Sequence, residues 1–158
     1  MVRRAEAKQR PVLFFERPQY VLSNFSAHEV VWRDIVYKTA EHAYQASKFR
    51  WPVFGFWIAD TASPEAAKDK MRTLKEQYPD CIRPDWKKVK LQLMEEILRA
   101  KLAQHPHIEA FLLSSGARLL IENNPSDSFW GRGRDGTGAN HLGKLWMKLR
   151  VELRRRNR

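Results

Sequence analysis

The chain has 158 residues, 43% of them hydrophobic, and a formal net charge of +11, which suits one globular domain with a sizeable core. No apolar stretch reaches bilayer-spanning length and the start lacks the hydrophobic centre of a secretion signal, so no membrane partner is expected. Cys81 is the only cysteine, which excludes an internal disulfide and a cysteine-rich metal site and points to a reducing, cytoplasmic setting.

In chain order, residues 1–10 read as a basic flexible arm, residues 11–154 as one domain and residues 155–158 as a basic tail. Val12-Leu-Phe-Phe15 suggests a first strand. Val30-Val-Trp32 and Ile35-Val-Tyr37 flank Arg33-Asp34 as a short hairpin, without the usual turn glycine. Thr39 is placed to cap a helix running to about residue 50. Ser63-Pro64-Glu65 sets cap, proline and acid in the order of a helix start, predicting a helix to about residue 77. Asp85 would cap the longest helix, residues 86–104, on which Val89, Leu93, Met94, Ile97, Leu98 and Leu102 form one apolar stripe. A shorter helix from about residue 107 ends at Gly116, and Leu119-Leu-Ile121 reads as a strand. Residues 123–139 are polar and glycine-rich, hence a loop, and Asn140 opens a last helix with Leu142, Leu145, Trp146, Leu149 and Leu153 on its buried side. The sum is an α+β fold: a single compact, mostly helical domain with a few short strands.

Three segments carry candidate chemistry. On a helix, Glu41, Tyr44, Gln45 and Lys48 share one face, which is either a functional surface or an ordinary solvated one. The run Glu122 to Gly143 holds Trp130, Gly131, Gly133, Gly136 and Gly138 and feeds into a helix start at Asn140. Close backbone approach and helix amides suit a phosphate, and Trp130 suits a stacked base; a surface loop with a core tryptophan is the plainer alternative. Asn24, within Leu22-Ser-Asn-Phe25, either bonds a ligand or closes a turn. His28, His42 and His141 are scattered and His105 and His107 flank a proline, so no metal site is expected. Cys81 and the absence of a Gly-x-Ser-x-Gly elbow give no nucleophile motif.

These segments resemble the NADAR family, which includes N-glycosidases of riboflavin-biosynthesis intermediates. The resemblance rests on Leu22-Ser-Asn-Phe25, on Glu41-His-Ala-Tyr-Gln-Ala-Ser-Lys-Phe49, and on Ser63-Pro64 followed by Ala67-Lys68. It continues through Trp86 with Val89-Lys90 and Met94 to Trp130-Gly-Arg-Gly, Gly138-Ala-Asn140, Leu142-Gly143 and Met147. Met71 departs from it, standing where the family often has glycine, and the basic N-terminal arm falls outside it.

The resemblance implies hydrolysis of the bond between ribose C1 and an exocyclic amino group. The ring is either a phosphoribosylamino-pyrimidine of riboflavin synthesis or guanine carrying ADP-ribose in DNA or RNA. No cofactor is implied. Glu41 would be general acid/base; Lys48 would attack C1 to form a Schiff base, the role proposed for a lysine in this family, or clamp phosphate; Asp127 would hold ribose hydroxyls or a water. Asn24, Phe25, Tyr44, Gln45, Trp86 and Trp130 would contact the substrate, with Gly131, Gly138 and Asn140 seating phosphate. Two other classes are weighed against this one. A non-catalytic basic nucleic-acid-binding domain fits the charge and six tryptophans; a helical interaction protein would use the glycine loop as a connector only. The oligomeric state is not legible.

Overall fold

The computed structural model describes residues 9–15 and 20–157. Most of the arm expected over residues 1–10 therefore lies outside them, as does Arg158. Among the described residues four short strands and six α-helices follow in the order β1 (Val12–Phe14), β2 (Val30–Trp32), β3 (Ile35–Tyr37), α1 (Ala40–Ala46), α2 (Pro52–Ala59), α3 (Pro64–Gln77), α4 (Trp86–Gln104), α5 (Pro106–Ser114), β4 (Leu120–Glu122) and α6 (His141–Arg156). This is the expected mostly helical α+β class. No described helix is long and apolar enough to cross a membrane.

Contacts group the chain into two compact units, residues 16–109 and the remainder. In the first, β2 and β3 pair antiparallel, Val30 with Tyr37. Arg33 and Asp34 turn at φ 52° and 63°, the left-handed pair that a two-residue hairpin needs even without glycine. Helix α1 contacts α2, α3, α4 and both hairpin strands. Of the α4 stripe, Leu93, Met94, Ile97, Leu98 and Leu102 are buried as expected while Val89 is half-buried, and Lys101 is buried with them. Ser63 caps α3 through the amide of Ala66. Asp85 precedes α4 but makes no capping bond; its carboxylate is taken by Arg83 at 2.7 Å.

One expectation is corrected here. Helix α1 ends at Ala46, not near residue 50, because Phe49 bridges Ile82 while Arg50 donates to the Cys81 carbonyl and Arg83 to that of Lys48. Trp51, ahead of Pro52, is extended at φ −116° and ψ 137°, as pre-proline sterics demand. Helix α2 itself was not foreseen: its start has no capping side chain.

In the second unit β1 and β4 run parallel, Val12 beside Leu120, and α6 packs on β4. A Cβ on Gly143 would lie 2.1 Å from the Leu120 carbonyl, so only glycine allows this approach. Arg154, Arg155 and Arg156 form the last turn of α6, where cations suit the helix dipole, so the expected tail begins later than residue 155.

Candidate active site

Thr39 starts α1 as expected: its hydroxyl accepts from the His42 amide. The helix face anticipated from spacing is not solvated. Glu41, Tyr44 and Gln45 are all buried, Glu41 at 7% exposure. The Gln45 side-chain amide donates to the Glu41 carboxylate at 2.6 Å. That bond fixes which way the amide points, and it leaves the buried Gln45 Oε1 without a hydrogen-bond partner. The Leu22-Ser-Asn-Phe25 segment is tied to the same helix, for the Glu41 amide donates to the Asn24 carbonyl at 3.0 Å. Asn24 Nδ2 approaches the Met94 sulfur, and its Oδ1 is a second buried acceptor with no hydrogen-bond partner. Native interiors hold few such groups; two on α1 and the segment tied to it suit a ligand that brings donors.

Lys48 lies beyond α1, so helical periodicity does not bring it to this place. The turn after Ala46 does, with Nζ 5.1 Å from the centre of the Tyr44 ring and 5.7 Å from that of Trp86. The two rings are themselves 5.4 Å apart. Burial pushes the Lys48 ammonium down to about 8; Glu41 opposes that shift, and Lys68, Lys75 and Lys90 add to it. Lys68 also stands 5.5 Å from the centre of the Phe25 ring. A buried carboxylate, a half-buried amine of lowered basicity, two aromatic rings and three more lysines therefore share one neighbourhood. Such a set can attract an anion and move protons.

The remaining expected residues lie in the other unit. Asp127 Oδ1 accepts from the amides of Phe129 and Trp130, an Asx turn that shapes the loop. Trp130 meets Phe129 edge-on, centroids 5.0 Å apart, with His141 nearby, and stays half-exposed. In the loop expected to seat phosphate, several amides are engaged in backbone bonds. The amides of Asn140, His141 and Leu142 donate to the carbonyls of Gly131, Phe129 and Trp130, and Gly138 donates to Arg132. A Cβ on Gly138 would sit 2.5 Å from the Arg132 carbonyl carbon. Asn140, at φ 51°, bonds the Glu122 amide and the Leu120 carbonyl through its side chain. Gly131, Gly138 and Asn140 thus fold the loop onto β4 and the start of α6, and the amides at 140–142 are already engaged.

Two features escaped the sequence reading. Lys101, wholly buried, donates to the Ser23 carbonyl at 2.9 Å and to Ser26 Oγ at 2.7 Å, steadying the segment that carries Asn24. Its signal was present, since position 101 lies seven residues after Met94 on the apolar stripe. The histidines taken as scattered also converge. His28 Nε2 is 2.8 Å from His107 Nε2, and the His105 ring centre is 5.0 Å from that of His28. No group of three metal-ligating side chains capable of holding an ion occurs among the described residues. His42 is a buried residue bonded to Thr39.

Comparison with known proteins follows the same lines. A family model, the NADAR domain, matches residues 13–154. N-glycosidase Npun_R5314 of Nostoc punctiforme is 40% identical over 141 residues, which cover 87% of this chain and 88% of that protein. N-glycosidase YbiA of Escherichia coli is 36% identical, covering 83% and 79%. The riboflavin biosynthesis protein PYRR, chloroplastic, of Zea mays is 38% identical over 83% of this chain, which spans only 23% of the maize protein. The NMR structure of Escherichia coli YbiA superposes with a TM-score of 0.79 at 30% identity, covering 98% and 92% of the two chains. Relatives of similar length are thus hydrolases of N-glycosyl bonds, and the chain belongs to the NADAR domain family as one of its N-glycosidases.

Proposed function

We propose that this chain hydrolyses the bond between ribose C1 and the exocyclic amino group of a phosphoribosylamino-pyrimidine, with Glu41 as general acid/base and Lys48 as nucleophile. The observation that carries the reading is the pairing of a buried carboxylate with a lysine whose pKa falls to about 8 beside the Tyr44 and Trp86 rings. An amine attacks carbon only when neutral, and burial makes that form accessible near neutral pH. The sugar ring opens as its oxygen takes a proton, and Nζ adds to C1. The C1–N bond to the pyrimidine amine then breaks, the amine leaving with a proton relayed by Glu41. Water adds to the resulting C1=Nζ imine and releases the sugar, so one water is consumed and Lys48 is regenerated. The orphan acceptors of Asn24 and Gln45 would take hydrogen bonds from the sugar hydroxyls or ring amines, and Lys68, Lys75 and Lys90 would attract the phosphate.

Guanine bearing ADP-ribose presents the same linkage, and the +11 charge favours it as a second reading when the guanine sits in a nucleic acid. Side-by-side hydrolysis of a riboflavin-pathway ribosylamine and of ADP-ribosylated guanine in an oligonucleotide distinguishes the two. In either case Glu41→Gln should slow release of the amine by at least ~10²-fold, the lower end for loss of acid/base catalysis. Near-normal turnover by that variant would remove Glu41 from the mechanism.

A further inference from the structure

Helix α2 and the β2–β3 hairpin border a groove that the glycosidase reading does not use. Its cavity is about 140 Å³, and Tyr37 and Phe49 are among its apolar lining. Two arginine–tryptophan stacks line it as well. The Arg33 guanidinium lies 4.4 Å from the centre of the Trp32 ring, and that of Arg50 lies 5.1 Å from that of Trp51. Beyond Trp51 the surface continues as an aromatic track. Buried Phe54 contacts Trp51, Trp57 and Tyr78 at 6.2, 5.4 and 5.6 Å between ring centres. Trp51 is 47% exposed, and Phe56, on α2, is 58% exposed. Lys70 lines the hollow beside Trp57 and Tyr78.

From these features we infer that the groove and its aromatic track bind single-stranded nucleic acid. Half-exposed rings held in place by a buried one offer faces on which successive bases stack without regard to sequence. A guanidinium over an indole face still has N–H groups to offer phosphate oxygens. Charge selects this occupant over a second copy of the chain. Self-association would bring two bodies of net charge +11 together, whereas a polyanion gains from the same field and releases its counterions on binding. Arg33 also pairs with Glu96 at 3.2 Å, both partly exposed, a contact weak enough to yield to phosphate. The surface shares no residue with the Glu41 and Lys48 chemistry, so the two readings stand or fall separately.

The test is fluorescence anisotropy of a labelled oligothymidylate titrated with the full chain across a salt series. Trp51→Ala should weaken binding by ~10-fold or more, within the range for one lost stacking partner. Arg50→Glu, at an exposed position, should do the same and reduce the slope of log affinity against log salt by about 0.7 or more. Lys144→Ala on the exposed side of α6 should change affinity less than ~2-fold, and Glu41→Gln should bind as the parent does. Absence of binding would overturn the inference. So would equal losses in Arg50→Glu and Lys144→Ala, which mark diffuse attraction, or a dimer by light scattering that Trp51→Ala dissolves.

Discussion

A lysine in water holds its proton to about pH 10.4. Lys48, desolvated and near three other lysines, releases it near 8. If its neutral amine is the nucleophile, kcat should rise through a single ionisation near pH 8 and level off above it, and Lys48→Arg should abolish turnover. A rate independent of pH between 7 and 9 would assign Lys48 to phosphate binding instead. Lys101 is the other residue whose burial has consequences: desolvation pushes its ammonium down to about 7. Lys101→Met removes the donor to Ser23 and Ser26 and should cost ~1–3 kcal/mol, the usual penalty for stranding buried acceptors. Denaturant unfolding measures it. Because Lys101 sits behind Asn24, KM should rise more than kcat falls.

At the scale of elements, the glycine loop was legible as a loop and α6 as a helix, yet their purpose was not. Sequence shows glycines ahead of a helix start; only the coordinates show that the amides at 140–142 are bonded to loop carbonyls. Gly138→Ala should therefore lower stability by ~1–3 kcal/mol, the scale of an overpacked contact, and do so whether or not substrate is present. If its thermal midpoint matches the parent and only substrate affinity suffers, the loop seats phosphate after all. Helix α1 shows the converse. Its cap and polar face were readable from Thr39, Glu41, Tyr44 and Gln45, but spacing could not tell that the face is buried. Nor could it tell that Phe49 would leave the helix to bridge Ile82, a contact between segments more than thirty residues apart. Helix α2 was missed because its apolar run has no capping side chain to mark it.

For the whole molecule, the shifted groups predict how stability follows pH. His28 is lowered to about 4, Lys101 to about 7 and Lys48 to about 8, while burial raises Tyr37 to about 12. For the first three the unfolded chain binds more protons than the folded one. That holds from pH 4 to ~6.5 for the histidine and from 7 or 8 to ~10.4 for the lysines, so stability rises with pH across those windows. Tyr37 acts oppositely: the unfolded phenol ionises near ~10, so stability falls between there and 12. Urea midpoints should climb from pH 4 to about 10 and then decline. A maximum near neutrality would mean that the buried lysines do not titrate low.

In the proposed mechanism Lys48 bonds covalently to the sugar while Glu41 moves the proton. The most direct measurement is borohydride reduction during turnover of a phosphoribosylamino-pyrimidine, followed by peptide mass spectrometry. A reduced ribose-phosphate adduct is expected on Lys48 alone, absent from Lys48→Ala. An adduct on Lys68 or Lys90, or undiminished hydrolysis by Lys48→Ala, would contradict that mechanism.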